Sequence, residues 1–72
     1  MSDWVAIPEA WELFQDLTEA RMSRANFYRL VGKWAAGGEL ALRRVSERKL
    51  RVRRSDVERI AGAVVAAQTG QS

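Results

Sequence analysis

The 72 residues contain no cysteine and no histidine. Without cysteine, no disulfide can staple the fold and no thiolate can bind zinc. Without histidine, the commonest general base and the commonest metal ligand are both gone. Long apolar runs are missing too. A membrane-spanning helix needs about 20 such residues, and the weakly polar stretch at 60–67 is short and mostly alanine and valine. No basic segment followed by an apolar one opens the chain, so no signal peptide is expected. The expectation is therefore a protein with no enzymatic activity, no catalytic residues, no metal ligands and no cofactor. A chain of this length makes at most one domain, and such a domain buries only about 60% of its unfolded surface.

What is present is charge, unevenly placed. The formal net charge is only +3. Residues 1–20 hold Asp3, Glu9, Glu12, Asp16 and Glu19 and no base. Residues 21–33 hold Arg21, Arg24, Arg29 and Lys33 and no acid. Residues 43–54 hold Arg43, Arg44, Arg48, Lys49, Arg51, Arg53 and Arg54 against Glu47 alone. One basic cluster would read as a solvated surface. Two on adjacent elements point to a polyanion-binding face with an acidic back.

Periodicity places these charges on elements. Residues 4–7 are short, apolar and extended in character. Pro8 suits the first turn of a helix, where its missing N–H costs nothing, and Glu9 and Glu12 favour the helix dipole. Ala10, Trp11, Phe14 and Leu17 make one apolar face, predicting a first helix over 8–17. Residues 18–22 read as a turn or a frayed helix end. Ser23 is an N-cap candidate for a second helix over 24–36. Its apolar stripe is Phe27, Leu30, Val31 and Trp34. The opposite face presents Ala25, Tyr28, Arg29 and Gly32, flanked by Asn26 and Lys33. Gly37-Gly38 ends that helix with a left-handed cap.

Two strands follow, 40–45 and 50–54, with a loop at 46–49. Leu50 and Val52 alternate with Arg51 and Arg53, the period of a strand with one buried face. Leu40 and Leu42 are expected to point inward, with a twist or bulge near Arg44 where Val45 breaks the alternation. Ser55 and Glu58 form a capping box for a third helix, whose inner stripe is Val57, Ile60, Ala61 and Val64. Its alanine-rich end either meets a partner helix or frays after Val65. Residues 68–72 are expected to be a disordered tail. The fold class expected is mainly α with a small β-hairpin: a winged helix-turn-helix of three helices plus a wing, as one domain over 1–67.

A positive helix beside a basic hairpin has a physical use. A helix fits the major groove of double-stranded DNA, where base pairs are distinguishable, and a hairpin can reach the minor groove or backbone alongside. Asn26, Tyr28 and Arg29 are the candidates for base-edge contacts, with Ala25 on the same face. Ser23, Arg24 and Lys33 would hold phosphates and set register. Arg48 and Lys49 would enter the minor groove at the loop tip, flanked by Arg43, Arg44, Arg51 and Arg53. Plainer roles compete: Tyr28 as a half-buried surface aromatic, Asn26 as support for the helix start, Arg44 and Arg54 packing on the hairpin or pairing with acids of the first helix. Trp4, Trp11 and Trp34 could stack on single strands, but their spacing with other apolar residues favours the core.

From Met22 onward the chain resembles the excisionase, or recombination directionality factor, group of the MerR-like winged-helix superfamily. The resemblance rests on "MSRANFYRLV", then Gly38-Glu39-Leu40, then a basic hairpin closing in "RVRRSDVERI". "VAIPEAWELF" is similar to the family's first helix, so the likeness covers about 5–60. Three features depart from the pattern. The connection at 16–22 is about one turn longer, the second helix is about a turn longer, and the hairpin loop lacks glycine. The resemblance implies a phage or mobile-element factor, cytoplasmic and nucleoid-associated. It implies binding to repeated sites near an attachment site, bending of the DNA, contact with an integrase or other recombinase, and cooperative self-association on DNA. Small transcriptional regulators and terminase small subunits use similar modules. A module for protein–protein interaction is the alternative from another class. RNA binding fits less well, because the major groove of RNA is deep and narrow.

Overall fold

The computed structural model describes residues 3–46 and 49–69. Within them the order is β1 (Trp4–Ala6), α1 (Ile7–Thr18), α2 (Arg24–Ala36), β2 (Leu42–Arg44), β3 (Leu50–Arg53) and α3 (Arg54–Thr69). The chain is mainly helical with a small antiparallel sheet, a layout compatible with helix-turn-helix plus wing.

Pro8 sits in the first turn of α1, as its chemistry favours. Ile7, Ala10, Phe14 and Thr18 are the buried residues of this helix. The Thr18 hydroxyl donates to the Phe14 carbonyl at 2.8 Å, so its burial leaves no polar group unmet. Leu17, expected on the inner face, is instead 42% exposed. The inner stripe is centred on Ala10, Phe14 and Thr18, and Leu17 falls at its margin near the helix end. Glu19 closes α1 in a left-handed conformation, with φ of 53°.

The segment after α1 is neither frayed nor loose. The Trp11 indole N–H donates to the Met22 carbonyl at 3.0 Å, and the Met22 N–H donates to Gln15 Oε1 at 3.1 Å. Two side chains of α1 thus fasten the longer connection to their own helix. Ser23 caps α2 as its chemistry predicts, its hydroxyl oxygen accepting from the Asn26 N–H at 3.1 Å. Phe27 and Val31 are buried, and Trp34 packs against the core. Phe14, Phe27 and Trp34 meet as three tilted or edge-on rings, with centroids 5.3–6.2 Å apart. At the far end of α2, Gly38 N–H bonds Ala35 O and Glu39 N–H bonds Trp34 O. That is a Schellman ending, and Gly38 takes the left-handed position with φ of 78°.

β3 lies in the middle of the sheet, in the order β1-β3-β2. Val5, Val52 and Leu42 form one row across the three strands. Val52 is fully buried against the helices, along with Phe27 and Val57. The early apolar segment is therefore a sheet strand, and it stabilises a hairpin too small to stand alone. Leu42 shares the inner face as expected, but it lies on the edge strand and is 43% exposed instead of packing into the core. Leu40 is buried but precedes β2, whose start is shortened because the Ala41 N–H donates to Asp56 Oδ2 at 2.9 Å. Arg44 stays in register with Leu50, and just beyond it the Val45 and Ser46 N–H groups both donate to the Lys49 carbonyl, two residues against one as in a bulge.

α3 begins at Arg54 without the expected capping box. The Ser55 hydroxyl donates to Asp3 Oδ2 at 2.7 Å, and Glu58 pairs with Arg54 at 3.4 Å. The Asp3 carbonyl accepts the Arg54 N–H, so Asp3 supplies the start of α3 from a distant part of the chain. Its carboxylate also suits the positive end of the helix dipole. Val57, Ile60 and Ala61 are buried and Val64 packs against the core. The helix continues to Thr69, beyond the expected tail boundary at 68, because nothing in the alanine-rich sequence stops it earlier. Residues 70–72 lie outside the described residues.

Candidate nucleic-acid interface

The outward face of α2 is built by the burial of its other face. With Phe27 and Val31 inside, Ala25, Asn26, Tyr28, Arg29, Gly32 and Lys33 are all exposed. Tyr28 is 44% exposed, so it is a surface aromatic with room to touch a ligand. The Asn26 side chain is exposed, while its backbone N–H takes the Ser23 cap. Ser23 therefore uses its oxygen to start the helix, and a hydroxyl that accepts can still donate its hydrogen. The Arg24 guanidinium lies over the Trp11 ring, 5.3 Å from its centroid. That contact holds the charge at the α1–α2 corner.

The hairpin arginines divide between two faces. Successive residues of a strand point to opposite sides of the sheet. Arg51 and Arg53 therefore lie opposite Val52, on the outward face, and Arg43 joins them through its pairing with Arg51. Arg44 pairs with Leu50 and belongs to the other side. Lys49 is exposed and closes the turn, its carbonyl accepting from Val45 and Ser46. Arg48 lies outside the described residues. Arg54 stands at the start of α3, paired with Glu58. It also lines a depression with Glu9, Glu12 and Asp16 of α1.

One residue of α2 and two bases of the hairpin line a common groove. The groove, of about 350 Å³, is lined by Ala6, Ile7, Pro8, Tyr28, Lys49, Leu50 and Arg51. Tyr28 comes from α2, Lys49 and Arg51 from the hairpin, and the floor from the junction of β1 and α1. The α1 carboxylates Glu9, Glu12 and Asp16 line a different depression, of about 260 Å³, which shares no residue with this groove. The groove has bases and no acid in its lining, whereas the depression has three acids and the one base Arg54.

Among the tryptophans, Trp4 is the one that sequence reasoning placed wrongly. Trp11 and Trp34 pack against the core, but Trp4 sits on the outward sheet face opposite Arg53. Arg43 and Arg53 lie over its ring, at 5.5 and 5.7 Å from the centroid. The signal was present in the strand alternation, since Val5 pairs inward with Val52 and its neighbour must point out. Among the described residues no cluster of His, Cys, Asp and Glu could hold a metal, and no helix is long and apolar enough to cross a membrane. Comparison with protein-family models, with curated proteins and with solved structures finds no match.

Proposed function

We propose that this protein binds double-stranded DNA in a sequence-specific way, as a winged helix-turn-helix module without catalytic activity. The observation that carries this reading is the groove in which Tyr28 of α2 faces Lys49 and Arg51 of the hairpin. The exposed face of α2 enters the major groove, and the hairpin, as the wing, follows the adjacent backbone and minor groove. Arg29 and Asn26 read base edges, arginine suiting guanine and asparagine suiting adenine. Arg24 and Lys33 contact phosphates and fix the register. Within this reading the protein is an excisionase-like factor that directs site-specific recombination beside an integrase. The similarity of the α2–hairpin–α3 sequence to that group supports it.

Fluorescence anisotropy with a random-sequence duplex at several salt concentrations tests the general reading. Binding that falls steeply with salt is the expected result, since each neutralised phosphate adds about 0.9 to the logarithmic slope. Absence of binding at low salt overturns it. After selection of a specific site, Arg29→Ala is expected to cost about 1–3 kcal/mol of specific affinity and to relax one base preference. An unchanged preference would remove Arg29 from the reading face.

A further inference from the structure

We propose that the outward face of the sheet is a second contact for the DNA phosphodiester backbone, with Trp4 as the residue that positions its arginines. The proposal rests on the duplex-binding reading and deepens it, carrying the backbone contact of the hairpin from its tip to the flat of the sheet and bringing in β1. Its starting point is a row of like charges. Arg43 and Arg51 are directly paired across β2 and β3, and Arg53 follows on the same face. Like charges placed opposite each other weaken a sheet. Among the described residues the only ion pair in this row joins Arg53 Nε to Asp3 Oδ2, at 3.4 Å, and the same carboxylate oxygen also accepts from Ser55. One carboxylate for three guanidinium groups leaves a local positive excess that a polyanion would relieve.

The arginines do not splay apart as mutual repulsion would have them. Arg43 on one edge strand and Arg53 on the central strand both lean over Trp4 on the other edge strand. The indole ring attracts each cation and holds both heads within 5.7 Å of one ring centroid. Guanidinium groups ordered before binding lose less freedom when a phosphate arrives. The row also leads out of the groove. Ala6 and Arg51 are paired and line the groove, while Trp4 and Arg53 lie two residues further along their strands, about 7 Å away. A DNA strand seated in the groove would thus continue over Arg51, Arg43 and Arg53.

The test is an anisotropy salt titration on one random-sequence duplex, with the full chain and four variants: Arg43→Gln/Arg53→Gln, Trp4→Phe, Trp4→Ala, and Trp4→Ala in the double-arginine background. Circular dichroism melting runs in parallel. The double-arginine variant is expected to stay folded, to lose affinity about tenfold at low salt, and to lower the salt slope by about 2. Trp4→Phe should retain most of the affinity. Trp4→Ala should weaken binding severalfold in the parent and add nothing once Arg43 and Arg53 are gone, because the two changes remove one contact. Wild-type affinity and slope in the double-arginine variant overturn the proposal while leaving Arg29-dependent recognition standing. An equal loss from Trp4→Ala in both backgrounds overturns the positioning role. If the parent binds no duplex at low salt, both this proposal and the reading beneath it fall. Should Trp4→Ala unfold, the arginine variants and Trp4→Phe still decide the outcome.

Discussion

Gly32 lies in the middle of α2 on the face turned to solvent, and a Cβ added there would meet nothing within 4 Å. Glycine inside a helix is less favourable than alanine by about 1 kcal/mol, through backbone entropy. Its presence at an open position is thus not explained by packing within this chain. A flat spot between Tyr28 and Arg29 would let the helix backbone approach the floor of a groove. Gly32→Ala is expected to raise stability by about 0.5–1 kcal/mol in denaturant unfolding and to weaken specific DNA binding. A variant that gains stability and binds as before would show that this turn of α2 stays clear of the DNA. Glu19 poses the opposite case, a side chain held at a left-handed φ of 53° where glycine is the usual choice. What a reader of the sequence could see at this scale was uneven. The Ser23 cap and the left-handed Gly38 follow from side-chain chemistry in adjacent residues. The partnership of Ser55 with Asp3 does not, because nothing in a local window reveals a carboxylate brought from the other end of the chain.

At the scale of elements, helices were legible and edges were not. The stripe Phe27, Val31 and Trp34 marks α2 because a 3.6-residue period needs no knowledge of the rest of the fold. β2 was overestimated at its start because Asp56 of α3 accepts the Ala41 N–H. Leu42 was placed inside because alternation reports which face a residue shares, not whether a helix covers that part of the face. Asp56 does more than end a strand. It also bonds Arg59, whose guanidinium donates to the Glu39 carbonyl, so one carboxylate and one arginine fasten the α2–β2 connection to α3. Asp56→Ala should therefore cost about 1–3 kcal/mol, the loss of a partly buried charged acceptor. Hydrogen exchange should show the Ala41 amide losing protection before the β1–β3 pairing does. Simultaneous loss across the sheet would make the hairpin and the N-terminal strand a single cooperative unit.

For the whole molecule, 44 × 25 × 21 Å in extent, the governing feature is charge polarity. The acids Glu9, Glu12 and Asp16 line one depression, while Lys49 and Arg51 line a groove that shares none of their residues. A net charge of only +3 understates the positive charge at the groove, where Lys49 and Arg51 have no acid among the lining residues. The field of that charge orients the protein as it nears DNA and turns the acidic side away. It acts on all sequences alike, whereas base recognition depends on contacts from α2. Replacing Glu9, Glu12 and Asp16 with their amides would separate these two contributions. Affinity for random duplexes should rise severalfold, with a faster association rate at low salt. The ratio of specific to non-specific affinity, measured at one salt concentration, should stay as it was. A fall in that ratio would mean that the acidic face chooses the orientation in which α2 reads bases, so that polarity itself contributes to specificity. An unchanged random-duplex affinity would mean that the acids are too far from the bound phosphates to matter beyond about one Debye length, 8 Å at physiological salt. The basic surface would then act through its contacts alone.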